Sequence, residues 1–460
     1  MHRIEQFLKS GWYIGLIFSA TLFAWLFYQD APVHGFNVYN MVGMLFLLSS
    51  MTLVLSLFKN TLYAVPIIFG LFFIISNNQI DFDTLSNSWF PYLALGIFFL
   101  GPLVHVIRFR PKIRFGILTL GLFLIALSYV IPLIYTPFDI RAIPISFVAF
   151  GYLIIYLFFA NTTKGNVNHL MLILLIANLF LATQVYIYIY RGFHRFPELD
   201  FYRRLFVGWG RNLGWGNIND VGFYLALTLP SYFYFVFKYP KKLIYWIILL
   251  FPVFAIILTK SRGGMIGFSV SFFLCVAYTF LRGKKEIIYR GLIAFAIGLV
   301  LLAINYEIIV IWWEYFVDSF GADLNDFSSS RIVIYQAGLE VFRQYPFFGG
   351  GWLSIESIGF DGRLFMYHST IVQALAAMGL FGLAALLVHF FQIFRFVFSD
   401  ITLEKKLFMI GFLASQVHGL IDNVQYAVQY SVLIVLVFAV WETASKDSIF
   451  KKVDHKYITV

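Results

Sequence analysis

The chain has 460 residues, 61% of them apolar and only 12% charged, with a mean hydropathy of +0.83. A soluble fold could not cover its surface with so few charges, so a water-soluble globular protein is excluded. The formal charge of +10 then has to be read as topology before it is read as a nucleic-acid footprint.

A membrane helix needs about 20 apolar residues to cross roughly 30 Å of hydrocarbon. Fourteen stretches are candidates, the third of them short, near 11–29, 38–57, 62–76, 89–107, 115–135, 142–160, 169–190, 218–237, 243–259, 264–281, 291–311, 369–394, 407–421 and 428–444. The fold class expected is an all-α integral membrane protein with 12–14 transmembrane helices and one long outer loop containing an amphipathic helix. The first stretch follows a short basic region (Arg3, Lys9) but has no small-x-small cleavage site behind it, so it reads as a retained helix. The divisions expected are an N-terminal bundle (1–190), a basic outer loop with central spans (191–311), a long extracytoplasmic loop (312–368), C-terminal spans (369–445) and a cytoplasmic tail (446–460).

With the N-terminus placed in the cytoplasm, the inner connections hold 22 Lys and Arg and the outer ones 11. The positive-inside rule then predicts two cytoplasmic termini and an even number of spans. No nucleic-acid partner is implied. The one cysteine, Cys275, falls inside a predicted span and offers neither a disulfide nor a zinc site.

Three outer segments stand out. Residues 77–88 are polar and acidic, 191–217 hold five arginines among aromatics, and 312–368 form the longest stretch outside the spans. A loop of that length is usually functional or disordered, and its aromatics argue against disorder. Within it, Ser328-Ser329-Ser330 precedes an apolar run of Ile332, Tyr335, Leu339 and Phe342. Serine caps free backbone N–H groups, so a helix over 331–344 is predicted, ended by Pro346 and Gly349-Gly350-Gly351 and lying on the outer membrane surface.

The outer cations are ten arginines and Lys260, whereas the inner ones are seven arginines and fifteen lysines. A guanidinium grips phosphate with two parallel hydrogen bonds and an ammonium does not, so the outer face suits an anionic ligand such as a lipid diphosphate. For Arg191, Arg195, Arg203 and Arg204 the equal alternative is snorkelling to lipid headgroups. Arg211, Arg262 and Arg331 are the stronger binding candidates, since Arg262 abuts a span and Arg331 opens a helix. His368 sits where the long loop re-enters the membrane. His418 and Asp422 are four apart and are expected on one helix face. An imidazole beside a carboxylate suits general-base work, although each residue could equally be a satisfied polar group and Asp422 could pair with an arginine. The glycine-rich 348–352 stretch could form an anion nest but is more often a turn. There is no phosphate-binding Gly-x-x-x-x-Gly-Lys loop. No outer spacing holds a metal beyond the weak pair Asp81 and Asp83, so neither cofactor nor metal is expected.

Three segments resemble the O-antigen ligase and O-antigen polymerase superfamily of membrane glycosyltransferases. They are Gly214-Trp215-Gly216-Asn217-Ile218-Asn219-Asp220 running into a span ending at Pro230; Ser261-Arg262-Gly263; and Arg331…Tyr335…Pro346…Gly349-Gly350-Gly351, then His368-Ser369 and Gly379-Leu380-Phe381-Gly382. The resemblance covers roughly 205–425. It implies metal-independent transfer of a glycan from undecaprenyl diphosphate to an acceptor hydroxyl on the non-cytoplasmic face. Arg262 and Arg331, with Arg211, would hold the diphosphate, His368 would be the base, and Asp422 would support it, with His418 close by. The partners implied are a lipid-linked oligosaccharide donor, a glycan or lipid acceptor and the membrane lipids. The sequence departs from the pattern at Ser369, where asparagine is common, and in having two extra spans. Polymerisation is preferred over ligation to lipid A core or to a protein hydroxyl. A transporter or flippase of lipid-linked glycan is the alternative from another class; it normally shows broken spans in symmetric halves and charges near mid-bilayer, which are not visible here.

Overall fold

The computed structural model describes residues 2–29, 38–74, 89–137, 139–194, 196–206, 218–319, 331–356, 366–399 and 402–444, and among these only helices, turns and extended connections occur. Eight helices are long and apolar enough to cross a membrane: Val38–Leu57, Phe90–Phe109, Ala142–Thr162, Val167–Phe193, Ile218–Lys238, Arg262–Arg282, Lys285–Ile304 and Thr370–Ser399. Five more apolar helices are shorter, namely Gly11–Phe27, Thr61–Ile74, Thr119–Ile134, Ile244–Leu258 and Val428–Ala444. The remaining expected span, 407–421, is the 17-residue helix Leu403–Gly419, whose first turns carry Glu404, Lys405 and Lys406. The chain is an all-α integral membrane protein.

One boundary differs from expectation. The span expected at 291–311 is Lys285–Ile304, followed by a separate helix, Tyr306–Ser319. Asn305 makes the break: its side-chain amide donates to the Leu301 carbonyl at 2.8 Å, an alternative to continuing the helix. Hydropathy runs on across it because Ile308 to Trp313 are apolar.

The chain divides into two compact units, one of Met1–Ile173, Ile334–Thr402 and Asn423–Val460, the other of Leu174–Val333 and Leu403–Asp422. In the first unit, Val38–Leu57 packs on Phe90–Phe109, Ala142–Thr162 on Val428–Ala444, and Thr119–Val130 on Gly379–Ser399. Polar groups lock these pairs. The Gly121 amide donates to Gln392 at 2.9 Å, and the buried Glu442 carboxylate accepts from the Ile117 amide at 3.0 Å and from the Tyr156 hydroxyl.

The first unit also holds most of the helix Arg331–Gln344, which has the bounds predicted for it. Its buried face is Ile334, Gly338 and Val341, whereas Ile332 and Leu339 of the expected stripe are exposed. Gly338 explains the difference. A Cβ there would lie 2.5 Å from Val372 and 2.8 Å from Tyr367, so the helix docks by its smallest residue. The glycine-rich turn after it is not an anion nest: the Gly350 and Gly351 amides donate to the Ala376 and Ala377 carbonyls at 2.8 and 3.1 Å. Gly349 and Gly351 sit at φ +79° and +83°, where side chains are strained.

In the second unit, Ile218–Thr228, Arg262–Arg282 and Leu403–Gly419 pack together. Small residues allow the backbones to meet, as is usual between membrane helices. A Cβ on Gly222 would lie 2.3 Å from the Gly264 Cα. The Ser271 hydroxyl donates to the Ala226 carbonyl at 2.8 Å, and the Asn178 amide to Thr228 Oγ1 at 2.8 Å.

Candidate functional site

The close approach of Gly222 to Gly264 sets the start of the Arg262–Arg282 helix. Ser261 caps it, its hydroxyl accepting from the Gly264 amide at 3.0 Å and donating to Asn219 Oδ1 at 2.7 Å. Arg262 is therefore the first helical residue, where the N-terminal backbone dipoles already favour an anion. Just before it, Lys260 takes a left-handed backbone at φ +53°. Its ammonium lies 4.9 Å from the Tyr315 ring centroid, and burial holds it below the usual lysine range.

Arg262 heads an open groove of about 760 Å³ in the second unit. The rest of its lining follows one helical stripe, Met265, Ile266, Ser269, Val270, Phe273 and Leu274, faced by Trp312 and Trp313 of the next helix but one. At 1.5 Å per residue, the groove runs about 18 Å along the helix from Arg262 to Leu274. Ser269 is its one polar residue below the guanidinium.

The same helix start meets His418. A Cβ on Gly263 would lie 2.7 Å from His418 Nε2, and the Phe223 ring lies edge-on to the imidazole at 5.7 Å. The imidazole is fully buried, and among the described residues neither ring nitrogen makes a hydrogen bond. Asp422 Oδ2 is 3.9 Å from Nε2 and 3.5 Å from the Arg331 guanidinium. The carboxylate is thus closer to the arginine than to the histidine. The two residues do not share a helix face as expected: the helix ends at Gly419, and a turn closed by the Ile421 amide on the His418 carbonyl at 3.0 Å carries Asp422 back. The second unit therefore assembles Arg331, Asp422 and His418 beside the turn that bears Arg262. Arg211 lies outside the described residues.

His368 belongs to the first unit. It has a left-handed backbone, φ +50°, a conformation that is uncommon outside glycine and concentrates at functional positions. Its neighbours account for the conformation. The Tyr335 hydroxyl donates to the His368 carbonyl at 2.9 Å. The Tyr367 amide donates to Gln373 Oε1 at 2.8 Å, and the Tyr367 hydroxyl shares a 2.9 Å hydrogen bond with Ser354. Burial pushes the Tyr367 phenol up to about 12. The imidazole itself is half-buried.

Sequence reasoning assigned Arg141 no role. Its guanidinium is clamped by Asp139 at 2.5 Å and by Glu356 at 2.9 Å. No sequence signal pairs Arg141 with Glu356, which are 215 positions apart. Two other arginines are engaged locally: Arg203 with Asp200 at 3.4 Å, and Arg204 with the Pro197 and Leu199 carbonyls and the Phe193 ring. Among the described residues no three His, Cys, Asp or Glu side chains converge to hold a metal ion.

Residues 247–387 match the model of the family described as O-antigen ligase. The match supports the superfamily that the motifs resemble and, with it, membrane glycosyltransferase activity of the ligase or polymerase type. Arg262, Arg331 and His368 fall inside the matched segment; Arg211, His418 and Asp422 fall outside it. No curated protein matches the chain.

Proposed function

We propose that this membrane protein, whose central segment matches the O-antigen ligase family, transfers a glycan from undecaprenyl diphosphate to an acceptor hydroxyl at the non-cytoplasmic face of the bacterial inner membrane, extending a polysaccharide. The observation that carries the reading is the Arg262-headed groove. A cation on a helix N-terminus above an apolar stripe is the complement of an amphiphile with an anionic head and a long hydrocarbon tail.

In the reaction, the acceptor oxygen attacks the anomeric carbon as its proton passes to a base. The bond from that carbon to the phosphate oxygen breaks, and the diphosphate leaves with the electron pair. Fixed cations that hold the developing charge lower the barrier without having to reorganise. Arg262 and Arg331 are assigned to the diphosphate, joined by Arg211. Asp422 holds Arg331 in place. His368 is assigned as the base, and His418 and Asp422 stand as the alternatives.

Val270→Trp tests the groove, because it fills the stripe without touching a charged residue. It is expected to raise KM for a polyprenyl-linked donor while leaving kcat near wild type, the signature of lost uniform binding. An unchanged KM removes the groove from donor binding. The glycans of a deletion strain separate the activities: a lost ladder means polymerisation, lost attachment means ligation, and lipid carrier trapped on the inner leaflet means a flippase. Reporter fusions at Phe327 and Lys405 are expected outside and inside respectively. A cytoplasmic signal at Phe327 defeats the whole assignment.

A further inference from the structure

At one end of the first unit, four chain segments enclose a cavity of about 540 Å³. They are the turn after Val38–Leu57, the connection after Phe90–Phe109, the connection after Ala142–Thr162, and the end of Val428–Ala444. Lys59, Arg110, Lys112, Arg114 and Lys164 line it, and among the described residues no carboxylate does. Its floor is polar and already bonded. The Thr61 hydroxyl contacts those of Thr162 and Thr163 at 2.8 and 2.9 Å, His105 Nδ1 is 2.8 Å from the Leu55 carbonyl, and Asn161 accepts from the Arg114 amide at 2.9 Å. The floor is therefore rigid, and its cationic lining is the part of the cavity whose charge a ligand would meet.

The positive-inside rule explains why these connections are basic. It does not explain why cations from three of them converge on one cavity. Nor does it explain Arg110, which closes its helix at φ +44° and ψ +56°. Glycine normally fills a left-handed helix end. A strained arginine there, followed by Pro111, directs the chain around the cavity. Beside it Ile107, Ile113 and Phe115 are 65%, 53% and 75% exposed, an apolar flank next to a cationic recess.

We propose that this cavity binds the headgroup of an anionic phospholipid of the cytoplasmic leaflet, with preference for a lipid carrying two phosphodiesters. Five cations exceed what one phosphate needs, and the apolar flank suits the acyl chains. Basic pockets between membrane helices on the cytoplasmic side take such headgroups. The assignment is independent of the glycosyltransferase reading.

The test uses purified, delipidated full-length protein, titrated with cardiolipin, phosphatidylethanolamine or inorganic diphosphate. Retained lipid is read by native mass spectrometry and the unfolding midpoint by thermal shift. Cardiolipin is expected to be retained and to raise the midpoint, and the other two probes are not. The triple variant Lys59→Gln, Lys112→Gln, Lys164→Gln is expected to weaken cardiolipin retention by roughly tenfold or more. Arg110→Gly guards against misfolding. It relaxes a strained residue, so its lipid-free midpoint should not fall, yet it should retain less cardiolipin. Equal retention of phosphatidylethanolamine, an equal midpoint rise with inorganic diphosphate, or wild-type cardiolipin retention in Arg110→Gly overturns the proposal.

Discussion

The Arg331 guanidinium lies 3.5 Å from the Asp422 carboxylate, with the aspartate side chain 6% exposed and the arginine 21%. The buried partner fixes the cation, and the arginine keeps an accessible edge. Because a fork that matches phosphate is what lysine lacks, Arg331→Lys is expected to be nearly as damaging as Arg331→Ala, each on the order of 10²–10³ in kcat. The measurement is glycan transfer by correctly inserted protein. A lysine variant with full activity would make Arg331 a point charge or merely the residue that opens its helix.

His368→Ala is expected to slow transfer by about 10²–10⁴, the usual effect of removing one general base, while donor binding persists. Tyr335→Phe removes the hydroxyl that holds the His368 carbonyl, so it should produce a smaller loss in the same direction. Transfer within a few-fold of wild type by the alanine variant passes the base role to Asp422 or His418.

Gly222→Ala is expected to destabilise the second unit by about 1–3 kcal/mol through overpacking, because the new Cβ would meet the Gly264 Cα at 2.3 Å. Gly151→Ala is the control, since a Cβ there meets nothing within 4 Å. Equal unfolding midpoints for the two variants would show that the helices separate without cost.

The Asp139 carboxyl is held below the ordinary value of 3.8 chiefly by the hydrogen bond from the Arg141 side chain. A carboxyl depressed in the folded state adds stability that is complete above its unfolded value and fades as pH falls toward the folded one. The unfolding midpoint should therefore drop as pH is lowered below 3.8, and Asp139→Asn should flatten that slope. A slope unchanged in the variant assigns the acid sensitivity to other groups.

Local signals were legible in the sequence and long-range ones were not. The helix at 331–344 was readable because serines precede it and Pro346 and three glycines follow. Which of its faces is buried was not, because that depends on Tyr367 and Val372 meeting Gly338. The break at Asn305 was hidden by apolar residues on both sides of it. His418 and Asp422 were paired from their spacing, and they do approach each other, but through a turn rather than along a helix. Arg331 with Asp422 was one option among several arginines, since charge alone does not choose between cations far apart in sequence.

The five residues Ala374–Met378 form a π turn within the Thr370–Ser399 span, and it is there that Gly350 and Gly351 dock. Such a turn holds one residue more than the α-helix around it. In genetic terms, this segment should be indifferent to spelling and strict about length. Exchanges among its small apolar residues leave the extra residue in place. Losing a single codon would shift the Ala376 and Ala377 carbonyls against the Leu380 and Phe381 amides, which donate to the Pro346 and Phe347 carbonyls, so the hydrogen bonds to both ends of the glycine-rich turn could not all form. A one-codon deletion scan should therefore find its sharpest intolerance in the plainest stretch of the sequence, Ala-Leu-Ala-Ala-Met.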